Sequence, residues 1–181
     1  MNSSNIFLII GPNGVGKTTL IPLLQSKLSH NFEIHDFDER GVPDNVDRIW
    51  RQSETLYWLE LSKSNLLKRI STIICGFMKP AEIIEASNKL EIRPVVCFLD
   101  INKENLEKRL LGRYQTEESI KNLERVTNKS VEKFIQDNVY VTSLLKKDSE
   151  QNDFVIIDTS NRSPEEVSQD LINWISKVTS H

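Results

Sequence analysis

Ile6-Phe7-Leu8-Ile9-Ile10-Gly11-Pro12-Asn13-Gly14-Val15-Gly16-Lys17-Thr18-Thr19-Leu20 is the stretch from which the rest of the chain can be read. Ile6 to Ile10 form a short, branched apolar run with the length of a fully buried strand. Gly11 to Thr18 match the phosphate-loop pattern G-x-x-x-x-G-K-[ST] at every fixed position. Leu20, Ile21, Leu24 and Leu28 then recur at helical spacing. Strand, glycine-rich turn and helix, in that order, are the context in which this motif carries chemistry.

A triphosphate is wrapped by consecutive backbone N–H groups, so Gly11, Gly14 and Gly16 stand where close approach or unusual φ/ψ is needed. A helix starting near Gly16 adds unpaired N–H groups and the positive end of its dipole. Lys17 supplies a point charge for the β- and γ-phosphates, and the Thr18 hydroxyl offers a ligand to Mg²⁺. Pro12, Asn13, Val15 and Thr19 complete the expected nucleotide contacts. Pro22 should bend the helix that follows.

With 181 residues the chain is expected to form one domain over 1–181, with room for a sizeable core. Apolar residues make up 38% and charged ones 27%, an ordinary soluble composition. A net charge of −3 and a pI near 5.7 argue against a long nucleic acid as partner. No apolar run approaches the roughly 18 residues of a membrane span, and no leader is expected before the first strand. Cys75 and Cys97 lie in apolar runs and read as small hydrophobes of a reducing cytoplasm. His30, His35 and His181 form no spaced cluster, so zinc is not expected. The assembly is expected to be a monomer or a homodimer.

Downstream, apolar runs alternate with helical patterns. Strands are expected at Asn31–Asp38, Ile70–Cys75, Pro94–Asp100 and Phe154–Asp158. Helices are expected from Asp47 to about Lys68, from Pro80 to about Lys89 and over Lys103–Leu111, the last capped by Asn102. Arg113–Asp137 reads as one or two surface helices, and Val139–Lys147 as another. Ser163, Pro164 and Glu166 open the last helix with a capping box. Such alternation implies a parallel sheet covered on both faces, with ligands bound at the C-terminal edge of the strands.

At that edge Asp36 and Asp38 share a strand face, one suited to assist Mg²⁺ and the other to orient or deprotonate an acceptor hydroxyl. Arg109 and Arg113 suit a mobile lid over about 109–129 that brings guanidinium groups to a transferring phosphoryl group. Arg48, Trp50 and Arg51 are candidates for an acceptor pocket. Asp100 and Asp158 end strands in the manner of a Walker B acid or simply finish them.

G-P-N-G-V-G-K-T, then H-D-F-D-E-R, L-E-K-R-L-L-G-R and I-I-D-T-S-N-R-S-P-E-E-V resemble, in that order, the small phosphate-loop kinases of the adenylate kinase-like group. Shikimate and gluconate kinases share this layout most fully. The resemblance implies a three-layer α/β/α fold with a five-stranded parallel sheet in the order 2-3-1-4-5. It also implies ATP as donor, Mg²⁺, and a small hydroxyl-bearing acceptor. By the same resemblance Lys17, Asp36, Asp38, Arg109 and Arg113 would be catalytic, Thr18 and Asp36 would hold the metal, and Thr159–Arg162 would touch adenine. The turn C-G-F-M-K at 75–79 lacks the glycine triplet of shikimate kinases and a Walker B acid. The signatures L-S-G-G-Q and N-K-x-D of transporter ATPases and GTPases are absent. Two other readings stay open: a nucleotide or polynucleotide-end kinase using Asp36 with Arg40, and a regulatory ATP-binding NTPase without an acceptor.

Overall fold

A computed structural model describes residues 4–28, 31–44 and 46–180. His30 and His181 lie outside the described residues. Five strands form one parallel sheet: β1 (Ile6–Ile10), β2 (Phe32–Asp36), β3 (Ser71–Gly76), β4 (Val95–Asp100) and β5 (Val155–Asp158). Their order across the sheet is β2-β3-β1-β4-β5, as the resemblance implied. Seven helices complete the described residues: α1 (Lys17–Lys27), α2 (Arg48–Leu67), α3 (Pro80–Leu90), α4 (Lys103–Arg113), α5 (Glu117–Thr127), α6 (Val131–Gln151) and α7 (Pro164–Thr179).

The central strands read as continuous apolar runs because both of their faces are covered. Alternation within β1 divides the core in two. Phe7 and Ile9 join one cluster with Leu24 of α1 and Leu171 and Ile175 of α7. Ile6, Leu8 and Ile10 join another with Trp58 and Leu59 of α2 and Ile83 of α3. Ile73 and Ile74, and likewise Cys97 and Phe98, are divided between the two in the same way. Layers of helix, sheet and helix follow directly from that alternation.

Element boundaries agree with the sequence reading at most ends. Asn102 accepts from the Asn105 amide, and Ser163 with Glu166 closes a capping box at α7. Pro22 lies inside α1, which runs on through it. One expectation is corrected. The helices read on either side of Asp137 and Asn138 are a single helix, α6, of 21 residues. Polar side chains can break helices by competing for the backbone, and here the helix accommodates both. Asp137 is gripped by Lys129 and Lys133 at 2.6 and 2.7 Å. Asn138 folds back to donate to the Phe134 carbonyl at 2.8 Å, an acceptor on its own helix. Ile49, part of the apolar spacing of α2, overhangs the first turn and stays 72% exposed.

Candidate active site

The loop between β1 and α1 adopts the shape its glycines permit. Gly14 and Gly16 have φ of 83° and 104°, in the left-handed region that side chains disfavour. At Gly14 a Cβ would also stand 2.9 Å from Leu110 of α4, so the loop is packed down onto that helix. Asn13 donates to Asn138 of α6 at 3.1 Å, a second anchor. Lys17, at the first turn of α1, curls back to donate to the Gly11 and Pro12 carbonyls at 2.9 and 2.8 Å. Burial pulls its ammonium down to about 8, against the opposing pull of Asp38 and Asp36.

The acidic pair is aimed by the residue between its members. Phe37 is 1% exposed, buried in the second core cluster. Its amide donates to Cys75 of β3, and its carbonyl accepts from the Trp58 indole at 3.1 Å. Gly76 leaves the room it needs, since a Cβ there would lie 2.1 Å from the Phe37 Cβ. With Phe37 pinned inward, the acids on either side stand at the loop. Asp36 accepts from the Thr18 hydroxyl at 3.2 Å, and its other oxygen accepts from the Asp38 amide at 2.9 Å. Thr18 near the start of α1 and Asp36 at the end of β2 are therefore brought together. Asp38, open to solvent on one side, has its carboxyl pushed up by burial on the other side and by the Asp36 charge.

Two cavities flank the loop. One, of about 380 Å³, lies among Gly14, Val15, Gly16, Thr19, Arg109, Thr159 and Arg162. Arg109 on α4 is fixed there: it donates to the Val15 carbonyl at 3.1 Å and to the Thr159 carbonyl at 2.8 Å. Arg162 is held by Asp170 at 2.8 Å. The other cavity, of about 480 Å³, takes in Asn13, Asp38, Trp50, Arg51 and Arg113, with apolar walls from Val42, Phe77 and Val126. Arg113, the last residue of α4, is exposed and makes no ion pair among the described residues, and its charge is felt at Lys17. Both volumes fall in the range of small-molecule sites.

Other candidates fall elsewhere. Arg48 is not part of the larger cavity's lining. Asp100 is paired with Lys146 at 2.6 Å, and Asp158 accepts from the Ser160 amide at 2.9 Å, so both serve the β4–β5 end of the sheet. Arg40 is committed to Glu54 at 3.1 Å and stacks over Tyr57. His35 packs on Trp58 and contacts Glu39. No cluster of three or more metal-ligating side chains occurs among the described residues. A hard, oxygen-seeking Mg²⁺ needs only one or two protein oxygens beside the phosphates, and Thr18 and Asp36, 3.2 Å apart, are two oxygens that fit such a set. Sequence reasoning missed Phe77, Tyr114, Val126 and Asn138. Only Asn138, a polar residue on an apolar helical face, left a trace that could have been read.

Fold and loop together define the class: this is the P-loop NTPase fold, three layers around a parallel sheet in the order 2-3-1-4-5. No family model matches the chain, and no curated protein matches it in sequence. Solved structures do match in shape over nearly the whole length, among them several kinases and a tunicamycin resistance protein of Deinococcus radiodurans. A sugar kinase from Janibacter sp. HTCC2649 aligns at 18% identity and TM-score 0.62, covering 98% of this chain and 99% of its own. The thymidylate kinase of Candida albicans gives 17% and 0.60, covering 98% and 93%. The shikimate kinase of Aquifex aeolicus gives 21% and 0.53, covering 95% and 96%.

Proposed function

We propose that the protein is an ATP-dependent kinase that transfers the γ-phosphoryl group to a hydroxyl of a small molecule. The observation that carries this is the position of the phosphate loop between two cavities. Glycine backbone and Arg109 border one, and Asp38 with Arg113 borders the other. A phosphoryl group carried on the loop stands between a donor chamber and an acceptor chamber. A purely regulatory NTPase has no use for the second chamber.

The nucleotide base sits between Arg109 and the Thr159–Arg162 turn, with its phosphates on the loop amides and the N-terminus of α1. Lys17 leaves the Gly11 and Pro12 carbonyls for the β- and γ-oxygens. Thr18 and Asp36 would hold Mg²⁺, which supplies charge neutralisation when bound. Asp38 accepts the proton of the acceptor hydroxyl. The hydroxyl oxygen bonds to the γ-phosphorus as the bond to the bridging oxygen breaks, and ADP leaves with the electron pair. Arg113 steadies charge on the equatorial oxygens. The kinases similar in shape support this reading, as does the motif. Two buried, free cysteines fit a reducing compartment such as the cytoplasm. No described helix is long and apolar enough to cross a membrane.

The test is calorimetry with ATP and Mg²⁺, followed by ADP release across a library of hydroxyl compounds. Wild type is expected to bind ATP and to turn over with some of them, and Lys17→Ala to keep its fold and lose turnover. No heat and no thermal shift with ATP and Mg²⁺ would overturn the proposal.

A further inference from the structure

Two arginines line the larger cavity, and Arg51 is the one with no part in the mechanism above. Its side chain is 16% exposed, and it shares the cavity wall with Asp38 and Trp50. Its Nε stands 3.4 Å from Glu82 Oε1, near enough for attraction yet enclosed and without a hydrogen-bond partner. Neither Nη makes a hydrogen bond among the described residues. Glu82 is held in turn, its other oxygen accepting from the Lys79 amide in the capping box of α3.

Helix stability does not ask for an arginine at this place. The positive end of the α2 dipole disfavours cations, yet its first turn carries Arg48 and Arg51 and no acid. A largely buried guanidinium with free donors is costly until something fills them. The cavity suits an organic anion. Phe77 and Val126 offer apolar surface to a carbon skeleton, while Asn13, Ser119, Asn122 and Thr127 bring polar side chains to the same walls.

A carboxylate matches this cation better than a phosphate does. The planar guanidinium fork presents two donors to two carboxylate oxygens. Glu82 already offsets much of the Arg51 charge, and Asp38 adds a second negative group to the cavity. A dianion would meet more repulsion there than a single charge.

We infer that the acceptor is a hydroxy acid, its carboxylate on Arg51 and its hydroxyl at Asp38. This rests on the kinase reading above and deepens it by naming the class of acceptor.

The experiment is calorimetry on the full chain with a non-hydrolysable ATP analogue and Mg²⁺. Mandelate, quinate, gluconate and hydroxymethylbenzoate are titrated, each against its primary amide, with glycerol phosphate and thymidine monophosphate as phosphate-bearing alcohols. At least one acid is expected to bind, about tenfold or more tighter than its amide and than either phosphate, because only the acid satisfies the buried charge. No binding by any acid, an amide equal to its acid, or a phosphate at least as tight overturns the inference. Arg51→Met keeps the bulk and removes the charge, and combining it with Glu82→Gln avoids leaving a buried carboxylate alone. The double variant should bind the acid about thirtyfold more weakly, while the amide and the ATP analogue keep their affinities. Equal losses for acid and amide mean a damaged wall rather than a carboxylate site, and undiminished acid binding places the carboxylate elsewhere; either result overturns the inference. Failure of the ATP analogue to bind counts against the kinase reading alone, because the acids can be titrated without nucleotide.

Discussion

Lys17 and Asp38 hold opposite perturbations across a short space, and each sets one limb of a pH profile. The Asp38 carboxyl is pushed up and must ionise to take a proton, so kcat/KM should rise as pH increases through its raised value. Lys17 must carry its charge to hold phosphates, so kcat/KM and ATP affinity should fall above about pH 8. In Lys17→Ala the alkaline fall in ATP affinity should vanish, which titration calorimetry at several pH values would check. Lys17 also acts on stability. Its native value of about 8 lies below the ordinary 10.5, so the unfolded chain binds more protons between those limits. Its contribution is a penalty in full below pH 8 that is relieved as pH rises toward 10.5.

The two acids should separate in kinetics. On the proposed mechanism Asp38→Asn removes the proton acceptor and should cut kcat by about 10²–10⁴ with ATP binding little changed. On the same mechanism Asp36→Asn keeps the base and loses a metal ligand, so it should raise the Mg²⁺ concentration needed for half-maximal rate. If both variants shift the Mg²⁺ dependence equally, the division of labour is wrong.

Among the elements, α4 and α5 differ in how they are held. Leu106 and Leu110 of α4 are fully buried, whereas α5 has one buried side chain, Leu123. Beyond it α5 is tied to the loop before α2 by an exposed Arg125–Asp44 pair, of a kind that contributes little. We therefore propose that the mobile cover, expected over about 109–129, is α5 together with the Tyr114–Thr116 link, with Arg109 in the fixed wall. Hydrogen exchange over Glu117–Thr127 should slow on adding an ATP analogue with Mg²⁺, more than over Arg48–Leu67 or Lys103–Leu110. Arg113, at the joint, should lower kcat on mutation to Ala more than it weakens ATP binding. Equal protection of all three segments with and without nucleotide would mean that α5 does not move.

What could be read in advance depended on how local the determinant was. The phosphate loop is one contiguous stretch with fixed chemistry, and the strands are apolar runs because the sheet is covered twice. Ser163 and Glu166 announce a helix start within four positions. Of the larger cavity, only Asp38, Trp50 and Arg51 gave such a signal for an acceptor. Its walls come from Val42, Phe77, Tyr114 and Val126, four segments that only the tertiary fold assembles. The continuity of α6 was hidden because Asp137 and Asn138 look like breakers until their side-chain partners are known.

For the whole molecule, the sheet shelters both thiols. Cys75 and Cys97 are 1% and 0% exposed, and burial pushes Cys75 up to about 12 and Cys97 further. Protonated, enclosed thiols do not react. A thiol reagent at neutral pH should therefore label neither in the native state and both after unfolding. Under slow labelling the rate reports the open population. ATP with Mg²⁺ at 100 times its Kd should slow labelling by about a hundredfold, by mass action. Fast labelling of native protein would contradict the packing of β3 and β4.

The contact between Gly76 and Phe37 has a consequence for how this protein can diverge. The clash at position 76 is above all with the Cβ of residue 37 itself, at 2.1 Å, with the ring's Cγ behind it at 2.8 Å. Shrinking Phe37 to alanine would leave the nearer atom in place, so Gly76→Ala should be nearly as damaging in a Phe37→Ala background as alone. Only a glycine at 37 would free the space, and it would remove the anchor that aims both acids. Positions 37 and 76 thus share room for a single Cβ. A lineage that retains the acidic pair can hardly cross to a side chain at 76, and melting temperatures of the two single and one double substitution would show whether that barrier stands.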